Sequence, residues 1–293
     1  MTAVADVFEF NAPLDGPSLA VSVLMHGDEP CGLAALELAR SESFALARGR
    51  LRVVVMNRPA TRTPDGPVRH LGVDMNRVWS KDALARDCAE TRRVQTVLPL
   101  LRDVDAILDI HSLPEQDRSF LLVSSGRPGA LAVAARMRGA IPRIVIAPPP
   151  ARRGVALFET ELVPAATPII VVECGRHDAT QAPQVARDAF MAFLAAYGLV
   201  AAPGASAARD THEAGIYEIG DEVVLREGPL RLERKMRGFD ALRAGQIYGR
   251  DGTQPLIAAE DCHVLLTRPA HKPGDEALSL VRRLPDDAGI TGQ

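Results

Sequence analysis

Short apolar runs alternate with longer stretches of mixed character through the first two-thirds of the chain. The runs at 19–25, 51–56, 106–110, 120–123, 143–146 and 168–172 are rich in Val, Ile and Leu and bounded by turn residues, the pattern of strands buried on both faces. Between them, 31–39, 84–101, 129–138 and 181–197 carry apolar residues at three- and four-residue spacing, which predicts helices with one buried face. This alternation predicts an α/β fold, a mostly parallel mixed sheet flanked by helices. At 200–210 the pattern breaks into Val-Ala-Ala-Pro-Gly-Ala-Ser-Ala-Ala-Arg-Asp, which reads as a linker. Beyond it come brief strand-like pieces at 216–219, 222–225, 246–248 and 263–266, separated by Gly and Asp, with no long helix expected. The chain therefore divides into an α/β domain over 1–200 and a small β domain over 211–293, with 286–293 a frayed tail.

Composition narrows the partners. At 293 residues and 47% hydrophobic the chain is long enough to bury a core without disulfides or metal staples. Its net charge of −3, from 34 basic and 37 acidic residues, gives no basic surface for nucleic acid or membrane. All the basic residues but Lys81, Lys235 and Lys272 are arginines, so a single arginine carries little weight. The longest uncharged stretch, 189–207, is strongly apolar only over 190–200, too short to span a bilayer. No basic residue precedes Arg40, which argues against a secretory signal. Cys31, Cys88, Cys174 and Cys262 are scattered without CxxC spacing, as reduced thiols in a cytoplasmic protein are.

Ligands of open α/β sheets bind beyond the carboxyl ends of the strands, so the residues after each apolar run are the first candidates for chemistry. The first run ends in His26-Gly27-Asp28-Glu29-Pro30, the second in Asn57-Arg58-Pro59, the third in His111-Ser112 and the last in Glu173-Cys174-Gly175. Two histidines and two glutamates at one sheet edge suit a catalytic zinc site, which takes three N/O ligands and leaves one position for water. His26 and Glu29, three apart at a turn entering a helix, can converge, and His111 would close the set. Glu173 would take a proton from water and return it to a leaving amine. Asp109, two residues before His111, is expected on the opposite strand face, bracing a ligand from behind. Taken singly, each residue has an ordinary structural explanation: a hydrogen-bonded histidine, a first-turn acid, or, for Cys174, a buried inert thiol rather than a nucleophile. Their joint placement favours the metal site.

Four segments also resemble the succinylglutamate desuccinylase/aspartoacylase family of the zinc carboxypeptidase-like superfamily. His26-Gly27-Asp28-Glu29-Pro30-Cys31-Gly32 is similar to its first zinc motif, and Asp74-Met75-Asn76-Arg77 to its Asp-Leu-Asn-Arg motif. Asp109-Ile110-His111 resembles the strand bearing the third ligand, and Glu173-Cys174-Gly175 the segment with the catalytic glutamate. The order and approximate spacing agree, and 239–266 reads like the family's C-terminal β domain. The resemblance implies one zinc ion per chain on His26, Glu29 and His111, with Glu173 as general base and acid. Arg69, seven residues before Asn76, would stabilise the oxyanion, and Asn76 and Arg77 would hold a substrate carboxylate or polar acyl end. The further substrate arginine that aspartoacylases carry between the third ligand and the catalytic glutamate has no match. Arg143, Arg152 and Arg153 fall in that interval but not at its offset, and Arg152 or Arg153, in the proline-rich loop 148–154, is the substitute.

The expected function is a zinc-dependent amidohydrolase, a deacylase removing an acyl group from a small N-acylated amino acid or related amine. Its site would lie in the first domain, capped or flanked by the second. The partner would be a small molecule, with no nucleic acid and no membrane, and self-association into a homo-oligomer stays open. The alternatives are a zinc carboxypeptidase acting on peptides and a non-catalytic metal- or ligand-binding protein on the same scaffold.

Overall fold

The computed structural model describes residues 6–127, 129–148, 154–201, 211–268 and 270–286. The linker expected at 200–210 falls outside these residues from 202 onward, as do Arg152, Arg153 and the tail from 287.

Fourteen strands appear among the described residues: β1 (Val7–Asn11), β2 (Ser18–Val23), β3 (Arg50–Val55), β4 (Ala106–Leu113), β5 (Phe120–Ser124), β6 (Arg143–Ala147), β7 (Ile169–Arg176), β8 (Gly215–Val224), β9 (Leu230–Leu232), β10 (Ala241–Leu242), β11 (Ile247–Asp251), β12 (Gln254–Ile257), β13 (Cys262–Leu265) and β14 (Glu276–Leu284). Eleven of them form one mixed sheet in the order β1-β3-β2-β4-β7-β5-β6-β8-β14-β13-β10, and β12-β11-β9 form a small antiparallel sheet. The adjacent pairs β3-β2, β2-β4 and β4-β7 are parallel, as are β5-β6 and β6-β8; β5 runs antiparallel to β7.

Helices cover both faces. Leu19, Val21 and Val23 of β2 point into one core cluster with α1 (Leu33–Ala39), α4 (Ala130–Met137) and α5 (Ala182–Ala196), whereas Ala20 points into a second with α3 (Ala89–Arg102). This is the two-residue period of a strand buried on both sides. A one-turn helix, α2 (Lys81–Leu84), precedes α3. No helix among the described residues is long and apolar enough to cross a membrane.

Two departures from the sequence reading shape the site. The first apolar run stops being a strand at Val23 rather than at residue 25, because Leu24 takes a left-handed conformation (φ 55°) while remaining buried. Such a backbone costs a side-chain-bearing residue on the order of 1–3 kcal/mol, and it turns the chain over the sheet edge just before His26. Conversely, β4 and β7 run three to four residues beyond their apolar cores, so His111 and Glu173 lie within the ladder as direct partners in parallel register. The chain after residue 210 joins the central sheet: β8 lies parallel to β6, and Tyr217, Phe239, Leu265 and Val281 share a core cluster with Ile107 and Val145.

Candidate active site

The loop leaving β2 carries the first two candidate ligands, with Glu29 immediately ahead of a 3-10 turn that starts at Pro30. Gly27 lets this loop lie flat on its neighbour. A Cβ there would sit 2.4 Å from the Ala60 carbonyl carbon and 2.6 Å from the Val68 oxygen. The Gly27 amide donates to the Arg69 carbonyl at 3.2 Å, which brings Arg69 to the same edge. Asp74 opens the next 3-10 turn (Met75–Arg77) by accepting from the Asn76 amide at 2.8 Å.

His26, Glu29 and His111 converge, each buried to within a few per cent. Nδ1 of His26 lies 2.8 Å from Glu29 Oε1, and Nδ1 of His111 lies 2.8 Å from Glu29 Oε2. Each far ring nitrogen meets another carboxylate at 2.9 Å, His26 Nε2 on Asp74 Oδ1 and His111 Nε2 on Asp109 Oδ2. Four ring nitrogens thus face four carboxylate oxygens. A neutral imidazole carries only one N–H, so the four contacts are satisfied together either when both rings are protonated or when a cation lies between the Nδ1 atoms and Glu29. Two nitrogens, one carboxylate and a carboxylate behind each imidazole form the donor set that suits zinc. Among the described residues His26, Glu29 and His111 form a candidate metal cluster.

Asp109 requires a correction. It is on the same face of β4 as His111, because residues two apart in a strand point the same way. It bonds His111 directly, and its other oxygen accepts from Ser22 Oγ of β2 at 2.5 Å, Ser22 and Asp109 being register partners.

The electrostatics follow from burial against pairing. Burial pushes Glu29 up, but the adjacent His111 and His26 outweigh it and hold the carboxyl far below its usual range. Asp74 is lowered in the same way, by His26 and Arg69 against its burial. For His111, burial works against the charged form, and Asp109 and Glu29 overcome it, raising the imidazole well above its ordinary value. Glu173 goes the other way: burial, reinforced by the charge of Glu29, pushes it up to about 8. Its Oε2 is buried without a hydrogen-bond partner.

These groups open onto a cavity of about 670 Å³ lined by His26, Glu29, Arg69, Asn76, Arg77, His111 and Glu173. All seven residues selected from sequence therefore share one site. Arg69 Nη2 donates to Asp74 at 3.0 Å and Nη1 to Glu29 at 3.2 Å. Asn76 Oδ1 accepts from the Leu157 amide at 3.0 Å. Asn57 and Arg58, at the end of β3, do not line the cavity; Arg58 pairs with Asp6. Cys174 packs into the apolar cluster behind β7, its thiol pushed well up by burial, which leaves it no nucleophilic role. Arg143 is structural: it is buried, donates to the carbonyls of Ser119 and His212, and lies over the Phe239 ring.

Sequence reasoning overlooked Asp74 as a histidine partner, although it lies in a quoted motif. It also missed Ser22, whose signal was a lone hydroxyl in an otherwise apolar run. Ile219, Glu222, Val224, Leu266, Arg268 and Glu276, from the C-terminal strands and their loops, also line the cavity; no local pattern marks them.

No protein-family profile matches the chain, and no curated protein matches it. Solved structures do. A succinylglutamate desuccinylase from Vibrio parahaemolyticus superposes with a TM-score of 0.73 at 15% identity, over 96% of this chain and 86% of that one. A succinylglutamate desuccinylase/aspartoacylase from Rhodobacter sphaeroides gives 0.71 at 17% identity, over 96% and 89%. The product-bound ectoine utilization protein EutE (DoeB) from Ruegeria pomeroyi gives 0.69 at 16% identity, over 94% and 95%. The fold is that of the succinylglutamate desuccinylase/aspartoacylase proteins.

Proposed function

We propose that the chain is a zinc-dependent deacylase of the succinylglutamate desuccinylase/aspartoacylase type, hydrolysing the amide of a small N-acylated amino acid. The observation that carries this reading is the convergence of His26, Glu29 and His111, each imidazole backed by a carboxylate, beside a buried and unpartnered Glu173.

His26, Glu29 and His111 would hold the zinc, which when bound polarises the scissile carbonyl and lowers the pKa of water. Glu173 takes the proton of the attacking water and passes it to the departing nitrogen, so that water is added across the C–N bond. Glu173 is buried, lines the cavity and leaves Oε2 without a partner, so its carboxyl is free to take and return that proton. Arg69, pinned by Asp74 through Nε and Nη2, presents a fixed guanidinium to the oxygen on which charge develops. Arg77 and Asn76 hold the substrate carboxylate. Ile219, Gly220, Glu222 and Val224 of β8, with Leu266, Arg268 and Glu276, line the same cavity, which favours a small substrate over a polypeptide and hence a deacylase over a carboxypeptidase.

The test is a metal analysis of protein purified without added metal, together with hydrolysis of an N-acyl amino acid panel before and after chelation. The expected result is near-stoichiometric zinc and release of free amine that chelation abolishes and zinc restores. Failure to take up zinc on resupply would overturn the ligand assignment.

A further inference from the structure

The segment from Arg69 to Asp74 brings two charged groups to the edge of the cavity, yet little within the segment holds it there. It belongs to no strand or helix as far as Asp74, and Leu71 is 46% exposed. Among the described residues, none of 70–73 makes a backbone–backbone hydrogen bond. Three successive amides go to one side chain instead. The Leu71 and Gly72 amides donate to Glu90 Oε1 at 2.7 and 3.1 Å, and the Val73 amide donates to Oε2 at 3.4 Å. Successive amides turned toward one point make a concave anion site, and here the protein supplies the anion, a glutamate only 1% exposed.

The anchor behind that carboxylate is fixed. Glu90 lies in the first turn of α3, which sets Val94, Val97, Leu98 and Leu101 into the core cluster on its face of the sheet. Three residues on, Arg93 donates to the Met56 and Val55 carbonyls at the end of β3, at 2.8 and 2.6 Å. A first-turn acid favours a helix by its charge alone, whereas reaching the loop requires the full length of the side chain. At the far end of the loop, Arg69 grips Asp74 through Nε and Nη2 at 3.2 and 3.0 Å, and Asp74 Oδ1 meets His26 Nε2 at 2.9 Å. A displacement of 71–73 therefore moves both groups.

We infer that Glu90, which does not itself line the cavity, is a positioning residue: by holding the 71–73 amides it sets Arg69 at the cavity edge and Asp74 against His26. This rests on the deacylase reading for the step at Arg69 and on the zinc reading for His26.

Two variants separate reach from charge. Glu90→Asp keeps the first-turn acid but is one methylene short of the loop, and Glu90→Gln keeps the length and loses the charge. Each is made in the wild type, in Asp74→Asn and in Arg69→Ala. Zinc affinity is measured by competition with a chromophoric chelator, and folding by circular dichroism. The constants kcat and KM are measured at saturating zinc on the most rapidly hydrolysed of a panel of N-acetyl amino acids. With an unchanged dichroism spectrum, Glu90→Asp is expected to lower zinc affinity by about 3- to 30-fold. It should lower kcat by about tenfold or more while KM stays within about twofold. Glu90→Gln, the second variant should Glu90→Asp not fold, moves both in the same direction. The backgrounds decide between positioning and a general structural role. In Asp74→Asn, Glu90→Asp should bring no further loss of zinc affinity, and in Arg69→Ala no further loss of kcat. Equal losses in every background, or none in any, would leave Glu90 a helix-start acid only and overturn the inference with the deacylase reading standing. Coupled loss of zinc affinity without turnover of any panel member would remove the deacylase reading and keep Glu90 as the residue that sets Asp74. No zinc uptake would remove both.

Discussion

At the scale of single residues, the site is a set of opposed shifts: Glu29 and Asp74 held ionised by imidazoles, Glu173 held back from ionising by burial. The pairing separates two roles that mutation can distinguish. Glu173 makes no hydrogen bond through Oε2 and is not among the converging donors, so Glu173→Gln is expected to lower kcat by about 100- to 10,000-fold while zinc content stays unchanged by elemental analysis. Asp109 sits behind His111 at 2.9 Å and touches no cavity surface. Its replacement by Asn removes the charge that orients His111 and sharpens its basicity, and zinc affinity should fall by about 10- to 100-fold in competition with a chromophoric chelator. Loss of turnover at saturating zinc comparable to that of Glu173→Gln would place Asp109 in the reaction rather than behind the ligand. His26, Glu29, His111 and Glu173 were legible in the sequence because strand ends deliver polar residues to one edge. Asp109 was placed on the wrong face by misreading a spacing of two, and Glu159 and Glu222 reach the cavity only through long-range packing.

At the scale of elements, the buried parallel strands were legible because a strand covered on both faces is an almost unbroken apolar run. The edge strand β1, Val-Phe-Glu-Phe-Asn, alternates and is only half buried, so it carried no such run. The ends of β4 and β7 were hidden for a related reason: His111, Ser112 and Glu173 interrupt the apolar pattern without interrupting the ladder. Neither the antiparallel placement of β5 against β7 nor the joining of β8 to β6 has a local signature. The turns of the C-terminal sheet are instead held by side chains, and Asp251 at the end of β11 is the clearest case. Its carboxylate accepts from the amides of Arg226, Glu227 and Gly228 at 2.6, 3.1 and 2.5 Å. Burial works against its charge, but these amides together prevail and lower its pKa. A carboxyl lowered in the folded state stabilises it above the unfolded pKa of about 3.9, and the gain disappears as pH falls through the folded value. Asp251→Asn should therefore destabilise the protein by about 1–3 kcal/mol at pH 7, with the difference from wild type shrinking below about pH 4. A difference of the same size at pH 3 and pH 7 in urea titrations would show that the amide contacts, rather than the charge, account for it.

For the whole molecule, the question is whether 1–200 and 211–293, the two domains expected from the composition break at 200–210, unfold separately or together. β8 is hydrogen-bonded along β6, and its other edge is occupied by β14, so removing the C-terminal strands would bare an internal edge of the central sheet. Phe239 reaches back into that sheet: it meets Phe120 and Tyr217 at centroid distances of 5.7 and 4.9 Å and lies under the Arg143 guanidinium. The same core cluster contains Trp79, the single tryptophan of the chain, fully buried in the N-terminal half. Its fluorescence therefore reports on the shared core around Trp79 in the N-terminal half, whereas far-ultraviolet circular dichroism reports on all strands. One shared sheet and one shared cluster imply a single cooperative transition with the two signals coincident. Phe239→Ala, which empties a buried aromatic site at a cost of about 3–5 kcal/mol, should then move the Trp79 transition as far as the dichroism transition, although residue 239 lies beyond the expected boundary. A Trp79 transition that stays in place while part of the dichroism signal melts earlier would establish two independently unfolding units, and Glu222 of β8 would then belong to a wall able to leave the cavity without unfolding the metal ligands.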